Sequence, residues 1–115
     1  MTRATLNISH TQTGDVTVVT IRGDIDGQTA GEAQQHMAPL LVPGSKILLD
    51  LSGVDFLSSA GLRILLSAYR QLAQIGGRLV LTGPSEDIKD TLTITGLLRF
   101  LSCYDTLPDG LAALA

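Results

Sequence analysis

Two adjacent serines, Ser58 and Ser59, stand in the run Phe56-Leu57-Ser58-Ser59-Ala60-Gly61-Leu62. An apolar strand (Ile47 to Leu51) and a short polar loop precede them, and a long amphipathic helix follows. A hydroxyl at such an entrance lies where backbone N–H groups are unpaired and the helix dipole is positive. A phosphate added there is accommodated electrostatically. The serines can therefore cap the helix, which is worth about 1 kcal/mol, or accept a phosphate. A second group of interest is Gly23-Asp24-Ile25-Asp26-Gly27. Its carboxylates can close the turn before the next helix, or present charge to a basic partner.

A catalytic reading needs more than the hydroxyl. Leu57-Ser58-Ser59-Ala60-Gly61 half-matches the nucleophile elbow Gly-x-Ser-x-Gly, but Leu57 replaces the first glycine of that strained turn. In that fold the histidine follows the serine, and no histidine follows His36. Without a base the hydroxyl stays a poor nucleophile. A Gly-x-x-x-x-Gly-Lys-Ser/Thr phosphate loop is missing, so any ATP must come with a partner. Cys103 is the single cysteine and reads as a small buried hydrophobe in a strand. His10, in an early turn, and His36, on the wet face of a helix, have no companion at metal-ligand spacing. The chain is expected not to be an enzyme, and to hold no metal and no cofactor.

The 115 residues are expected to form one domain able to bury a core without disulfides or metals. With 44% hydrophobic and 17% charged residues, disorder is excluded. A net charge of −3 offers no footprint for nucleic acid and no polybasic segment for a membrane surface. No basic-then-apolar leader opens the sequence, and no apolar run approaches a span's length. A cytoplasmic protein, monomeric when free, is the expectation.

The hydropathy pattern supplies the elements that position these residues. Thr5 to Ile8 reads as a short strand, Thr13-Gly14-Asp15 as a turn, and Val16 to Ile21 as a β-branched strand completing a hairpin. Gly23 to Gly27 breaks the pattern. A helix follows with the stripe Ala30, Ala33, Met37, Leu40 and Leu41, bent or stopped by Pro39. Lys46 to Leu51 reads as a strand buried on both faces. The helix after Ser59 shows the stripe Leu62, Leu65, Leu66, Tyr69, Leu72 and Ala73, with Arg63, Ser67, Arg70, Gln71 and Gln74 outside it. Gly76-Gly77 ends that helix, and Arg78 to Leu81 is a fourth strand. Ser85 caps a helix ending near Gly96, Phe100 to Cys103 is a fifth strand, and Thr106 to Asp109 opens a last helix. The order β-β-α-β-α-β-α-β-α predicts an α/β fold with a mixed, mostly parallel central sheet.

These motifs, in this order, resemble a STAS domain of the bacterial anti-sigma factor antagonist type. The resemblance rests on Gly23-Asp24-Ile25-Asp26, the strand Ile47 to Leu51, Phe56 to Leu62, Ile75-Gly76-Gly77 and Thr95-Gly96-Leu97, which together span nearly the whole chain. It implies a partner-switching protein. The unphosphorylated form would capture a serine-kinase anti-sigma factor and so free the sigma factor. Phosphorylation of Ser59, with Ser58 as second choice, would release it, and a metal-dependent serine phosphatase would reverse the mark. Asp24, Asp26, Ser58, Ser59, Gly61 and Arg63 are the expected partner surface. The chain departs from the family at Ser58, where aspartate is common, and at Ala60, where Ser or Thr is common; the first change removes a charge that a partner could read. The fold also serves as a subunit of phospholipid-transporting ABC systems and in switching cascades that touch no sigma factor.

Overall fold

The computed structural model describes residues 6–115. Five strands lie side by side in sequence order: β1 (Asn7–Thr13), β2 (Val16–Ile25), β3 (Lys46–Leu57), β4 (Arg78–Thr82) and β5 (Ser102–Tyr104). The β1–β2 hairpin is antiparallel and every later pairing is parallel. Three crossover helices make the parallel steps: α1 (Ala30–Met37), α2 (Ser59–Gln74) and α3 (Glu86–Ile94). A last helix, α4 (Leu107–Leu114), follows β5. The expected α/β order and mixed sheet are what the chain adopts.

Alternation along the strands explains the layering. Val19 and Ile21 of β2, Ile47, Leu49 and Leu51 of β3, and Leu79 and Leu81 of β4 join Ala33, Met37, Leu65, Leu72, Ile88 and Leu92 of the crossover helices in one large core. The residues between them, Val16, Val18, Leu48 and Val80, point to the opposite face and pack on Leu114 of α4. The two-faced burial expected of Lys46–Leu51 is thus split between three helices and one.

The helix ends obey local chemistry. Ser85 Oγ accepts from the Ile88 N–H at 3.3 Å, and Thr106 Oγ1 accepts from that of Asp109 at 3.3 Å. Gly76 adopts φ +74°, and the Gly77 N–H returns to the Leu72 carbonyl at 2.7 Å, which closes α2. Pro39 acts as expected: α1 stops at Met37 and Ala38–Leu40 continue as one 3₁₀ turn. At the hairpin turn, the Lys46 ammonium lies 2.9 Å from Asp15 and holds that carboxyl below its ordinary value. The stabilisation this brings is present at neutral pH and lost as acid protonates Asp15.

Several boundaries differ from the sequence reading. Thr5 lies outside the described residues, and β1 runs on from Asn7 through polar Ser9, His10 and Thr11 to Thr13, as an edge strand with one wet side can. His10 is therefore in mid-strand and not in a turn. Gly23 does not end β2, and Ser52-Gly53 is not a loop; both strands continue, to Ile25 and Leu57. Register shifts between Thr20 and Arg22 and between Gly23 and Asp24 absorb the misfit, and Gly23 takes φ +107° there. The buried stripe of α2 is Gly61, Ile64, Leu65, Ala68 and Leu72, whereas Leu62, Leu66 and Tyr69 are half-buried and Ala73 is exposed. β5 begins at Ser102, leaving Phe100 exposed in the preceding turn.

One buried group is out of place. Thr82, 1% exposed on the α4 face, has a hydroxyl with no hydrogen-bond partner among the described residues, while its methyl group faces Gly110 of α4. Valine keeps the shape and the β-branching and removes the orphaned hydroxyl. Thr82→Val should therefore raise the unfolding free energy by about 1 kcal/mol in urea titration, with the slope unchanged.

Candidate functional site

The Ser58–Ser59 corner is built by β2 and β3 ending together. In the parallel register Asp24 faces Phe56 and Ile25 faces Leu57. The chain then turns. The Ser58 N–H donates to the Ile25 carbonyl at 2.9 Å, so the first residue after β3 is tied to the middle of the acidic segment. Ser58 is extended, at φ −84° and ψ 176°, and its Oγ accepts from the Gly61 N–H at 3.3 Å. It is the N-cap. Ser59 is the first helical residue, and it is exposed. The two hydroxyls are thereby separated in role: one is half-buried and committed to the cap, the other faces solvent over the helix N-terminus.

Gly61 brings α2 onto this corner. A Cβ there would stand 2.6 Å from Leu57 Cδ1 and 2.8 Å from the Ile25 carbonyl oxygen. The close approach holds the helix entrance against the Asp24–Asp26 segment. Gly61, expected on the partner surface, is buried and shapes that surface from beneath.

The two aspartates differ. Asp26 Oδ1 accepts from the Gln28 and Thr29 N–H groups at 2.9 and 3.1 Å, and the Asp26 N–H donates to Thr29 Oγ1 at 3.0 Å. Thr29 Oγ1 donates in turn to the Asp24 carbonyl at 2.7 Å. Asp26 is thus occupied in closing the turn that starts α1. Asp24 is exposed at the end of β2, and its carboxylate forms no ion pair among the described residues. Arg63 is exposed one helical turn after Ser59.

Phe56 was not singled out as a site residue, yet it is 52% exposed beside Asp24. Its signal in the sequence was an aromatic in an aromatic-poor chain, immediately before the serines. At this corner the surface offers a free hydroxyl, a free carboxylate, a guanidinium and an aromatic face. Such a mixture suits recognition by another protein. Cys103, half-buried in β5, is remote from it in the sheet order, and burial pushes its thiol up, Lys89 opposing and Asp105 adding to the shift.

Comparison with known proteins accords with this architecture. The STAS domain family matches residues 7–110. The chain belongs to that family. The anti-sigma-B factor antagonist of Bacillus subtilis is 28% identical over 92 residues, covering 80% of this chain and 84% of its own length. A crystal structure of an anti-sigma factor antagonist from Mycobacterium paratuberculosis superposes with a TM-score of 0.82 at 32% identity, over 95% of this chain and 93% of that one. The Bacillus protein SpoIIAA, solved in unphosphorylated and phosphorylated forms, shares the fold at 18% identity with TM-scores of 0.77 and 0.71. The first of these two superpositions covers 93% of this chain and 95% of that one, the second 95% and 100%.

Proposed function

We propose that this STAS protein is an anti-sigma factor antagonist of a phosphorylation-controlled partner switch. Its unphosphorylated form binds a serine-kinase anti-sigma factor, and phosphate on Ser59 releases it. The observation that carries the reading is the division of labour at the α2 entrance, where Ser58 caps and Ser59 is exposed. A metal-dependent serine phosphatase would restore the binding form, and the exchange would take place in the cytoplasm. The chain acts by being covered and uncovered, and its partner supplies ATP.

Phosphate at Ser59 brings roughly −1.5 to −2 charges and three acceptor oxygens. At the helix N-terminus it meets a favourable dipole, so the free protein tolerates it. Under a docked partner the same charge loses water, which costs several kcal/mol unless a cation meets it. Incubation with the candidate kinase and ATP, followed by peptide mass spectrometry, should place one phosphate on Ser59. Phosphate on Ser58 alone, or none despite a stable complex, overturns the assignment.

Asp24 supplies long-range attraction to a basic kinase surface. Asp24→Asn should slow association a few-fold and flatten its salt dependence, as read by stopped-flow mixing at several ionic strengths. Asp26→Ala should act differently, lowering stability by about 1–2 kcal/mol through loss of the Thr29 turn.

A further inference from the structure

His10 and His36 are 26 residues apart in the chain, but their rings meet. Nδ1 of His10 lies 2.9 Å from Nε2 of His36, with ring centroids 5.0 Å apart and planes at 71°. The sheet register explains the encounter. His10 faces Val19 in the antiparallel ladder, and Val19 points into the core beneath the crossover helices. His10 therefore stands on that same face, at the sheet's edge, where α1 passes. His36 sits three residues after buried Ala33 and one before buried Met37, on the flank of α1 that meets β1. His10 is exposed and His36 half-buried, so both rings are open to solvent. This corrects the sequence reading, which placed His36 on the wet face and gave neither histidine a companion.

We propose that the His10–His36 pair is a surface site for one divalent first-row transition ion, with Cu2+ the tightest. The 2.9 Å contact is a hydrogen bond, in which one ring donates N–H and the other accepts. An ion replaces it when the donating ring shifts its proton to its other nitrogen, leaving two imidazole nitrogens as the donor set that Cu2+, Ni2+ and Zn2+ share. Bonds of about 2.0–2.1 Å to each nitrogen, at the cis angle of a tetragonal centre, need nitrogens about 2.9 Å apart; a tetrahedral centre needs about 3.3 Å. The spacing is that of the hydrogen bond itself and is also short enough for a tetragonal centre; the order of divalent affinities is what favours Cu2+. Among the described residues no third His, Cys, Asp or Glu completes a cluster. Water fills the remaining positions, and the ion exchanges freely. When bound, it ties the edge strand β1 more firmly to α1, which β1 already meets at this pair.

The test uses the untagged full chain with Cu2+ alone. Isothermal titration of wild type should give one site, and His10→Ala and His36→Ala should each weaken it at least tenfold. In amide spectra of wild type, substoichiometric Cu2+ should broaden signals around both His10 and His36. Ni2+ should bind at the same place more weakly. Wild-type affinity in either single variant, or broadening confined to one of the two segments or centred elsewhere, overturns the two-histidine site. The variants alter open side chains, and circular dichroism checks that they remain folded.

Discussion

Ser59→Asp is expected to weaken capture of the cognate anti-sigma factor at least tenfold while shifting the melting temperature little. A carboxylate at the first helical position interacts favourably with the dipole, by about 0.3–1 kcal/mol, so the fold has no reason to suffer. The penalty appears only on docking, when the charge is stripped of water; about 1.4 kcal/mol of it is one factor of ten in affinity. Ser59→Ala should block phosphorylation and keep most of the binding. Ser58→Ala gives the complementary pattern. It removes the acceptor of the Gly61 N–H and should cost about 1 kcal/mol of stability, yet leave the phosphate acceptor in place. Calorimetry of complex formation and thermal melting of each variant measure both quantities. Tight binding by Ser59→Asp would remove the switch from this residue.

The second large effect concerns Gly61→Ala. The new methyl group would meet Leu57 Cδ1 at 2.6 Å, the Ile25 carbonyl oxygen at 2.8 Å and Ile25 Cγ2 at 2.9 Å. The Leu57 side chain can turn aside, but the carbonyl belongs to a paired strand and cannot. The helix must lift, which should cost about 2–3 kcal/mol in urea unfolding. Lifting also strains the Ser58 N–H bond to that same carbonyl and shifts Ser59 relative to the ends of β2 and β3. Partner affinity should therefore fall even in protein that remains folded. Gly31→Ala in α1 is the control: a Cβ there meets nothing within 4 Å, and relief of backbone entropy should stabilise the protein by about 0.5 kcal/mol. Equal stability for the two variants would refute the packing argument.

The order of elements, the caps at Ser85 and Thr106 and the glycine stop after α2 were legible because each rests on local chemistry. The failures share one cause, a choice made by tertiary neighbours. Ser52-Gly53 and Asp55 carry turn chemistry, but pairing with β2 holds them in a bulged strand. Leucines occupy several flanks of α2, so spacing admitted more than one stripe; the sheet selected Ile64 and Ala68 over Leu62 and Leu66. Which serine caps was open in the sequence, and the Ile25 carbonyl settles it by holding Ser58 extended. The contact between His10 and His36 has no trace in local spacing, since a strand and a helix supply one ring each.

β3 is paired with β4 only from Lys46 to Asp50, but with β2 as far as Leu57. Beyond Asp50 the two longest strands reach forward as a ribbon, carrying the serines at their tip. The ribbon is not loose, because Ile25, Leu51, Val54 and Leu57 are buried in the core beneath the helices. It therefore works as a rigid bracket, projecting the serine corner past the edge of the five-stranded slab without giving up packing.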